Sequence, residues 1–472
     1  MLNIFNIREK KPTPAMIFRQ RQLLLANLKN EIQQRLDTAL HKSVQLNLLP
    51  GQDNQNLGRL WDVEVKITKR PTFSLSPETS ILQVFEDANR KLLIVGADGA
   101  GKTTTLLKLA NKLIALAEAD VNQPIPVLLN LSTWKGEIPS IMEWLAAQIN
   151  WKYNVNSEIC QQWLKNSQLL LLCDGIDELE TECQELCIQE INQLILTLQG
   201  QLNLVVCARL EEYKKCPSRL KLQGVIWLRP LKENKIREYL LNVRSRELWE
   251  NIQDDPNLLE LAKNPLFLNM MTLAYEEILI HSWKRFETED DRRSYVLNAY
   301  IRRQLNKEIS DRWYGKNKEP RTEQTRYWLT WLAEQMQGNL NDEFFLDKLP
   351  IFWLQTHQNL QIYNIIFKLL NALICGVIAW IFFKIIIGVN IAAFLAIIFG
   401  VIGATMGEKF VSSAYIQNFT LRLIFWWHSY IPWNYGKFLN YSTERLFFQR
   451  IGRRYRFIHN ILREHLAKMP VD

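Results

Sequence analysis

The chain has 472 residues, of which 47% are hydrophobic and 22% charged, so it exceeds one ordinary domain and is apolar enough to be mostly globular. Its net charge of +8 suits a membrane surface or nucleic acid and selects neither. Seven cysteines are scattered, and Cys183 and Cys187 lack a second pair at zinc-site spacing, which argues against a metal site and for reduced thiols in a cytoplasm.

The first 80 residues are expected to form a helical region and a lead-in to the first large domain. The polar stretch Met1–Thr13 is not expected to act as a secretory leader. Apolar residues at helical spacing predict a helix over 14–42 that packs on the core or on a partner. Residues 50–80 are rich in Gly, Pro, Asn and Ser and predict an irregular segment. A short helix is expected from Ile81 to Phe85.

A phosphate-binding pattern follows a short apolar strand, Lys91–Val95, and precedes a helix over Thr104–Leu116. The pattern is made of Gly96, Ala97, Asp98, Gly99, Ala100, Gly101, Lys102 and Thr103. Its glycines let backbone N–H groups surround phosphate oxygens, and the helix N-terminus adds positive charge. Lys102 is expected to reach the β- and γ-phosphates and Thr103 to hold Mg²⁺. Thr104, at the start of the helix, is expected to bind the nucleotide as well. This segment predicts a nucleoside triphosphate site.

A second apolar strand, Leu169–Cys173, ends in acidic residues about seventy positions after the loop. A carboxylate at this place completes a P-loop site. Asp174 is placed to hold Mg²⁺ through water, and either Asp177 or Glu178 could orient and deprotonate the attacking water. The alternative is a solvated turn.

Further strands alternate with helices and predict an α/β fold, a parallel three-layer P-loop NTPase domain over residues 81–230. The strands are expected at Ile125–Leu131, Leu202–Cys207 and Val225–Leu228. Arg209 stands at a strand tip, where it could bind the γ-phosphate or simply lie on the surface. Residues 231–350 show helical patterns throughout, and Asn264-Pro265-Leu266 begins one of these helices.

An apolar block at 365–410 predicts a two-helix transmembrane hairpin. Between Leu369 and Gly407 only Lys384 is charged, and Lys384, Gly388 and Asn390 mark the turn. Lysines flank the block, as expected if both ends lie in the cytoplasm. The NTPase domain would then sit on the cytoplasmic side of the inner membrane. The alternative is a helical hairpin buried in the protein core.

The last segment, 415–472, is expected to form a small domain. Its Trp and Tyr residues between Phe419 and Tyr435 could anchor at a membrane interface or form a core. The pattern predicts a helix over Tyr435–Ile451, a strand over Arg453–Ile458 and a closing helix over His459–Ala467.

The phosphate loop, the sequence Asp174-Gly175-x-Asp177-Glu178 and the strand tip at Arg209 together resemble the NACHT family of STAND-class signalling NTPases. The resemblance implies that Pro265 packs on the adenine. The run from Arg454 to Ala467 looks like the end of the family's winged-helix domain, which implies that His459 contacts the β-phosphate and locks the ADP state.

The resemblance covers about residues 80–340 and 415–468 and is closest to bacterial, particularly cyanobacterial, members with a membrane hairpin. It implies an ATP/ADP switch with Mg²⁺, a slow ATPase at most, and homo-oligomerisation on activation in signalling or antiviral defence. An effector domain and a repeat array are not recognisable, so an unknown sensor or effector protein is expected as a partner.

Two other functions stay open at this stage. A transport ATPase would need more than two membrane helices for its path. A DNA-binding regulator would use the winged helix, with Arg450, Arg453, Arg454 and Arg456 on phosphates. The membrane hairpin argues against this reading, so nucleic acid is not expected as a partner.

Overall fold

The protein is described from a computed structural model. The structure describes residues 12–39, 63–67, 73–74, 80–136, 140–278, 283, 285–307, 313–315, 318–337, 343–346, 349–354, 357–386, 389–406 and 413–470. Most of the expected lead-in at 50–80, together with Gly388, lies outside these residues. The chain divides into two compact units, Met1–Arg303 and Gln304–Asp472. The finer division into five domains stays a prediction.

Within the described residues, the first unit contains one sheet with the strand order β2-β1-β7-β3-β6-β5-β4. The strands are β1 Val63–Ile67, β2 Phe73–Ser74, β3 Lys91–Gly96, β4 Ile125–Asn130, β5 Leu169–Asp174, β6 Asn203–Arg209 and β7 Gly224–Leu228. Strands β3 to β7 run parallel, and β1 pairs antiparallel with β7. The predicted strands are therefore present. Strands β1 and β2 extend the sheet beyond them and lie within residues 50–80, so the prediction of an irregular segment there is wrong at Val63–Ile67 and Phe73–Ser74.

The central strands are buried on both faces of the sheet. Every residue of β3 is buried, as are the first five residues of β4 and of β5. Because successive side chains of a strand point to opposite faces, this pattern requires cover on both sides. The sheet is therefore the middle layer of a mixed α/β domain.

Helices of the first unit follow the strands along the chain. They are α1 Pro14–Asp37, α2 Ile81–Asp87, α3 Lys102–Ala119, α4 Ile141–Tyr153, α5 Ser157–Lys165, α6 Thr181–Thr197, α7 Leu210–Lys215, α8 Glu233–Asn242, α9 Arg246–Asp254, α10 Pro256–Ala262, α11 Pro265–Ala274 and α12 Glu289–Asn306, which runs across the unit boundary. Short 3₁₀ turns occur at Leu131–Thr133, Ile176–Glu178 and Tyr275–Glu277.

The N-terminal helix α1 packs on α3, the helix that follows the phosphate loop. Leu25, Leu28 and Ile32 of its predicted stripe are buried. Arg21 Nη2 donates to the carbonyl oxygen of Ala117 (3.1 Å) in the last turn of α3 and to that of Gln123 (2.9 Å) in the turn after the helix. Helix C-termini leave carbonyl groups unsatisfied, so this buried arginine caps α3. The helix is thus a packing element of the first unit.

The second unit combines helices with a small antiparallel sheet of order β8-β10-β9. Its elements are α13 Thr322–Gln337, β8 Phe344–Phe345, a 3₁₀ turn at Ile351–Trp353, α14 His357–Ile386, α15 Val389–Met406, α16 Ser413–Trp427, α17 Tyr435–Glu444, β9 Phe448–Ile451, β10 Arg454–Phe457 and α18 Asn460–Ala467.

Helices α14 and α15 form a helical hairpin. A Cβ built on Gly400 would lie 3.2 Å from Ala372 O, and one on Gly376 would lie 3.1 Å from Ala396 O, so the helices are antiparallel and in close contact. In the described part of the chain, one helix is long and apolar enough to cross a membrane, Gln358–Ile385, and 17% of its most apolar window is buried. Ala392–Ala404 is a shorter apolar helix.

The outward faces of the hairpin are exposed rather than packed in a core. Leu369, Ile378, Ile385, Phe394 and Ile397 each expose more than three fifths of their surface. The outer faces of the hairpin are therefore not buried by the part of the chain that the structure describes. This disagrees with the alternative prediction of a hairpin buried in the protein core.

The predicted helix over Tyr435–Ile451 is wrong in its second half. Helix α17 ends at Glu444, and Phe448–Ile451 is the strand β9. Leu446 has a φ of 59°, a left-handed conformation that ends a helix. The buried Arg445 holds this corner, because its guanidinium donates to carbonyl oxygens of Gln304 and Leu305, each at 2.8 Å. The strand at β10 and the closing helix α18 agree with the prediction within one residue.

Candidate functional site

The phosphate loop connects the buried strand β3 to helix α3, as the pattern predicts. Gly99 and Gly101 have φ angles of 77° and 94°, which a residue with a Cβ rarely adopts. A Cβ at Gly99 would also lie 2.6 Å from Asn264 Oδ1. Two independent constraints therefore require glycine at position 99.

Lys102 is the first residue of α3, and its ammonium group lies across the loop. Its Nζ donates to the carbonyl oxygens of Gly96 (3.2 Å) and Ala97 (2.9 Å). The lysine thus places positive charge at the loop that the pattern assigns to phosphate. The backbone N–H groups of Thr103 and Thr104 stand in the first turn of α3, where the helix dipole favours an anion.

The two predicted magnesium ligands come together although 71 positions separate them. Thr103 Oγ1 donates to Asp174 Oδ2 at 2.6 Å, and Asp174 Oδ1 accepts a hydrogen bond from Gly175 N at 3.1 Å. Mg²⁺ prefers carboxylate and hydroxyl oxygens and usually keeps several waters, so Thr103 and Asp174 would hold it, Asp174 through water. These oxygens therefore suit Mg²⁺.

Protein groups alone do not complete such a site. Among the described residues, no group of three or more His, Cys, Asp and Glu could hold a metal ion. Mg²⁺ in nucleotide sites takes one or two protein ligands together with phosphate oxygens and water. The Thr103–Asp174 pair is therefore a site for a metal–nucleotide complex rather than for a free ion.

Asp177 and Arg209 form an ion pair at the carboxyl edge of the sheet. Arg209 Nε lies 2.8 Å from Asp177 Oδ2, and its Nη2 lies 3.4 Å from Asp98 Oδ2. The Arg209 side chain is 23% exposed, so it is not a solvated surface arginine. It links the phosphate loop, through Asp98, to the acidic turn after β5.

The Asp177 carboxylate is 5% exposed, and burial raises its pKa above the ordinary value of 3.8. The positive charges of Lys102 and Arg209 oppose this rise, while Asp174 adds to it. Glu178 follows in the same 3₁₀ turn and is partly exposed. The geometry leaves the choice of base between Asp177 and Glu178 open.

Asn130 is a site residue that the sequence analysis missed. It ends β4 and lies opposite Asp174 in the register of the sheet. Gly175 has a φ of 77°, and a Cβ there would lie 2.4 Å from Asn130 Oδ1. A polar residue directly after an apolar strand was the available signal, since the same signal identified Asp174.

Asn264 also joins the site. Its Nδ2 donates to Asp98 O at 2.7 Å, while its Oδ1 accepts from Leu266 N at 3.0 Å and so caps α11. Pro265 is buried at the first position of this helix. The start of α11, which holds the residue predicted to pack on the adenine, is therefore bound to the phosphate loop through Asn264. The local sequence pattern does not predict this contact.

His459 belongs to the second unit and precedes α18. Its Nδ1 accepts a hydrogen bond from Ile461 N at 3.2 Å, so the imidazole caps this helix. Its contact with a β-phosphate stays a prediction.

Comparisons with known proteins bear on this site. Among solved structures, the chain is similar to the crystal structure of Cdc6p from Pyrobaculum aerophilum, with 11% identity over 80% of this chain and 87% of that chain and a TM-score of 0.26. No curated protein matches the chain. The family model of the NACHT domain matches residues 90–247. The segment that holds the phosphate loop, Asp174 and Arg209 is thus matched by the NACHT family of P-loop NTPases.

Proposed function

We propose that the protein is a NACHT-type switch that binds ATP or ADP with Mg²⁺ and changes its assembly with the bound nucleotide. The observation that carries the proposal is the 2.6 Å contact between Thr103 and Asp174 beside a glycine loop and a helix N-terminus. Hydroxyl, carboxylate and backbone N–H groups at one place are the set that a magnesium–nucleotide complex needs.

Each residue of the site has a defined role in this proposal. Lys102 and the first N–H groups of α3 bind the phosphates, and Thr103 and Asp174 hold Mg²⁺, which supplies charge neutralisation between phosphate oxygens. Arg209 leaves Asp98 to pair with a terminal phosphate. Hydrolysis, where it occurs, uses Asp177 or Glu178 to orient water.

Nucleotide state reaches the rest of the first unit through Asn264. This residue bonds the loop with its amide nitrogen and caps α11 with its oxygen, so a shift of the loop changes the start of that helix. The winged-helix assignment of the last segment and the ADP lock by His459 extend the same proposal to the second unit.

The helical hairpin α14–α15 is proposed as a membrane anchor in a bacterial inner membrane, with the NTPase domain on the cytoplasmic side. Its exposed apolar faces and the length of Gln358–Ile385 support this proposal. Carbonate extraction tests it: the full chain should stay with the membranes, and its release into the soluble fraction would remove the anchor. Homo-oligomerisation, a separate sensor or effector protein and a role in defence signalling belong to the proposal as well.

Two of the four arginines proposed to bind DNA phosphates in the alternative function already have partners within the fold. Arg454 pairs with Glu343 and is 8% exposed, and Arg450 donates to Asn440 Oδ1 at 3.1 Å and to Gly452 O at 3.0 Å. Side chains bound within the fold are not available to a phosphate backbone without losing these partners.

Titration of a fluorescent ATP analogue with and without Mg²⁺ tests the proposed site. Thr103→Ala should lose the tightening of binding that Mg²⁺ causes, because the hydroxyl ligand is gone. Thr103→Ser keeps that hydroxyl and should retain the Mg²⁺ effect. An equal Mg²⁺ effect in the wild type and in Thr103→Ala would contradict the site.

A further inference from the structure

One face of α16 carries exposed aromatic residues. Tyr415, Phe419 and Trp426 are spaced by four and seven positions and therefore lie on the same side of the helix. Their exposed fractions are 83%, 47% and 43%. Trp433 follows the helix and is 53% exposed. We call these four residues the aromatic face.

Three members of the aromatic face, Phe419, Trp426 and Trp433, pack on one another. Trp433 packs edge-on against Phe419 and Trp426, with ring centroids 6.3 and 5.2 Å apart. Arg422, on the same side of α16, directs Nη2 to Trp433 O at 3.5 Å. The rings therefore form an ordered cluster that is still about half exposed.

The opposite side of α16 is buried, so the aromatic face cannot turn inward. Thr420, Ile424 and Phe425 are each at most 2% exposed. Phe425 packs against Trp331 and Trp353 in the core of the second unit. The sequence left the aromatic segment as either an interface or a core, and the structure divides it: Phe425 and Tyr435 are core, and the aromatic face is surface.

The stretch of sequence that carries the aromatic face has charges of one sign. From Lys409 to Thr443 the sequence has no Asp or Glu, while Arg422 and Lys437 carry positive charge. A basic residue, Arg422, beside exposed Trp and Tyr matches the headgroup region of an anionic bilayer, where amphipathic rings accumulate and cations are attracted.

The aromatic face also adjoins the hairpin. Helix α16 begins at Ser413, seven positions after α15 ends at Met406, and α16 packs on α14. A helix in contact with a membrane-spanning hairpin and starting at its end is placed close to the bilayer surface. The position of α16 next to the hairpin, the positive charge and the chemistry of the rings thus all favour lipid headgroups as the contact of the aromatic face.

We propose that the aromatic face lies in the headgroup region of the bilayer that holds the hairpin and forms a second membrane contact of this chain. The inference rests on the membrane part of the proposed function. The hairpin inserts into the hydrocarbon core, whereas the aromatic face stays at the interface and fixes the height of the second unit against the membrane.

Quenching of environment-sensitive probes by lipids tests this depth. The full chain is reconstituted into phosphatidylethanolamine–phosphatidylglycerol vesicles, with nitroxide either on the headgroup or deep in the acyl chain. Cys183→Ala and Cys375→Ala remove the half-exposed native thiols, since the other five cysteines are buried. Single probes are then attached to Tyr415→Cys and Trp426→Cys, at the two ends of the aromatic face.

Two further probes serve as references. Ile397→Cys lies on the outer face of the hairpin and is 68% exposed, and Arg453→Cys lies in the exposed turn between β9 and β10. The Arg453 probe should be quenched by neither lipid. The Ile397 probe should be quenched by the deep nitroxide.

The aromatic face is supported when both of its probes are quenched several-fold more by the headgroup nitroxide than by the deep one. The proposal is overturned when the Trp426 probe is no more quenched than the Arg453 probe. It is also overturned when the emission of the Trp426 probe changes with protein concentration and not with lipid, as expected if a second copy of this chain covers the aromatic face. Deep quenching of the Ile397 probe with an unquenched Trp426 probe would keep the anchor and reject only this inference. Absence of quenching at all four positions would reject the membrane proposal as well.

Discussion

Asp177 shows how a single residue at the site depends on its surroundings. Its carboxylate is nearly buried, and it pairs with Arg209 at 2.8 Å. Burial raises its pKa more than Arg209 and Lys102 lower it. The carboxylate therefore holds its proton to a higher pH in the folded protein than in the unfolded chain.

This shift predicts a pH dependence of stability with a defined sign. Where the folded state binds more protons than the unfolded state, the free energy of unfolding falls as pH rises. The wild type should therefore lose stability relative to Asp177→Asn as pH rises from 3.8 through the raised pKa, and the difference should level off above it. Urea unfolding of both proteins over a pH series, without nucleotide, measures this difference.

Asp177→Asn is the matched comparison because asparagine keeps the size of the side chain and removes its titration. Arg209 loses its charged partner at every pH in the variant, so that loss adds a constant offset above the transition. A difference between the two proteins that stays the same across the whole pH series would contradict the raised pKa.

At the scale of elements, Asn264 joins α11 to the phosphate loop. The asparagine makes two bonds with different roles: its Oδ1 caps the helix, and its Nδ2 bonds the loop at Asp98 O. The contact spans 166 positions of the chain. Helix and loop are therefore connected through one side chain whose two functions can be separated by substitution.

Asn264→Asp should keep the cap and lose the loop contact, because a carboxylate accepts from Leu266 N but cannot donate to Asp98 O. Asn264→Ala loses both, at a cost of about 0.5 to 2 kcal/mol for the cap alone. Both variants should bind a fluorescent ADP analogue several-fold more weakly than the wild type. Titration gives the affinities, and thermal unfolding gives the stabilities.

Asn156→Ala is the control for general destabilisation. Asn156 caps α5 by accepting hydrogen bonds from Glu158 N and Ile159 N. This variant should lose stability without losing nucleotide affinity. Wild-type affinity in Asn264→Asp would show that the asparagine acts only as a helix cap.

At the scale of the whole molecule, the proposed switch requires the second unit to respond to the nucleotide bound by the first. His459 is the residue through which the second unit would respond to nucleotide. Within its own unit it caps α18. Its sequence position, immediately before the closing helix, is compatible with capping alone and with phosphate binding.

His459→Leu should loosen ADP by about tenfold to a hundredfold, since a hydrogen bond to a charged group contributes about 1 to 3 kcal/mol. Self-association should rise with the loss of ADP. His459→Ser keeps a cap but is too short to reach a phosphate, so it should release ADP as His459→Leu does while remaining more stable. Stopped-flow release of a labelled ADP measures the rate, and an unchanged rate in both variants would leave the histidine a structural cap.

Much of the fold and the centre of the candidate site were predictable because their signals are local. Apolar runs ending in glycine or aspartate mark buried parallel strands, and the carboxyl ends of such strands meet at one edge. That rule brings Asp174 at the end of β5 to the edge where the phosphate loop follows β3, and Thr103 lies 2.6 Å from Asp174 there. The predicted helix at Tyr435–Ile451 failed because its apolar pattern suits a strand as well as a helix, and Arg445 and Leu446 end the helix through long-range contacts and a left-handed backbone.

The sequence by itself determined the phosphate loop, the strand that carries Asp174 and the apolar hairpin, because each depends on residue order within a short window. Only the tertiary structure decided which distant side chains meet: Asn264 at the phosphate loop, Arg209 between Asp98 and Asp177, and Asn130 against Gly175. It also decided which aromatic rings after the hairpin are core and which are surface. These outcomes depend on packing between elements, and packing between elements far apart in the chain leaves no periodic trace in the sequence.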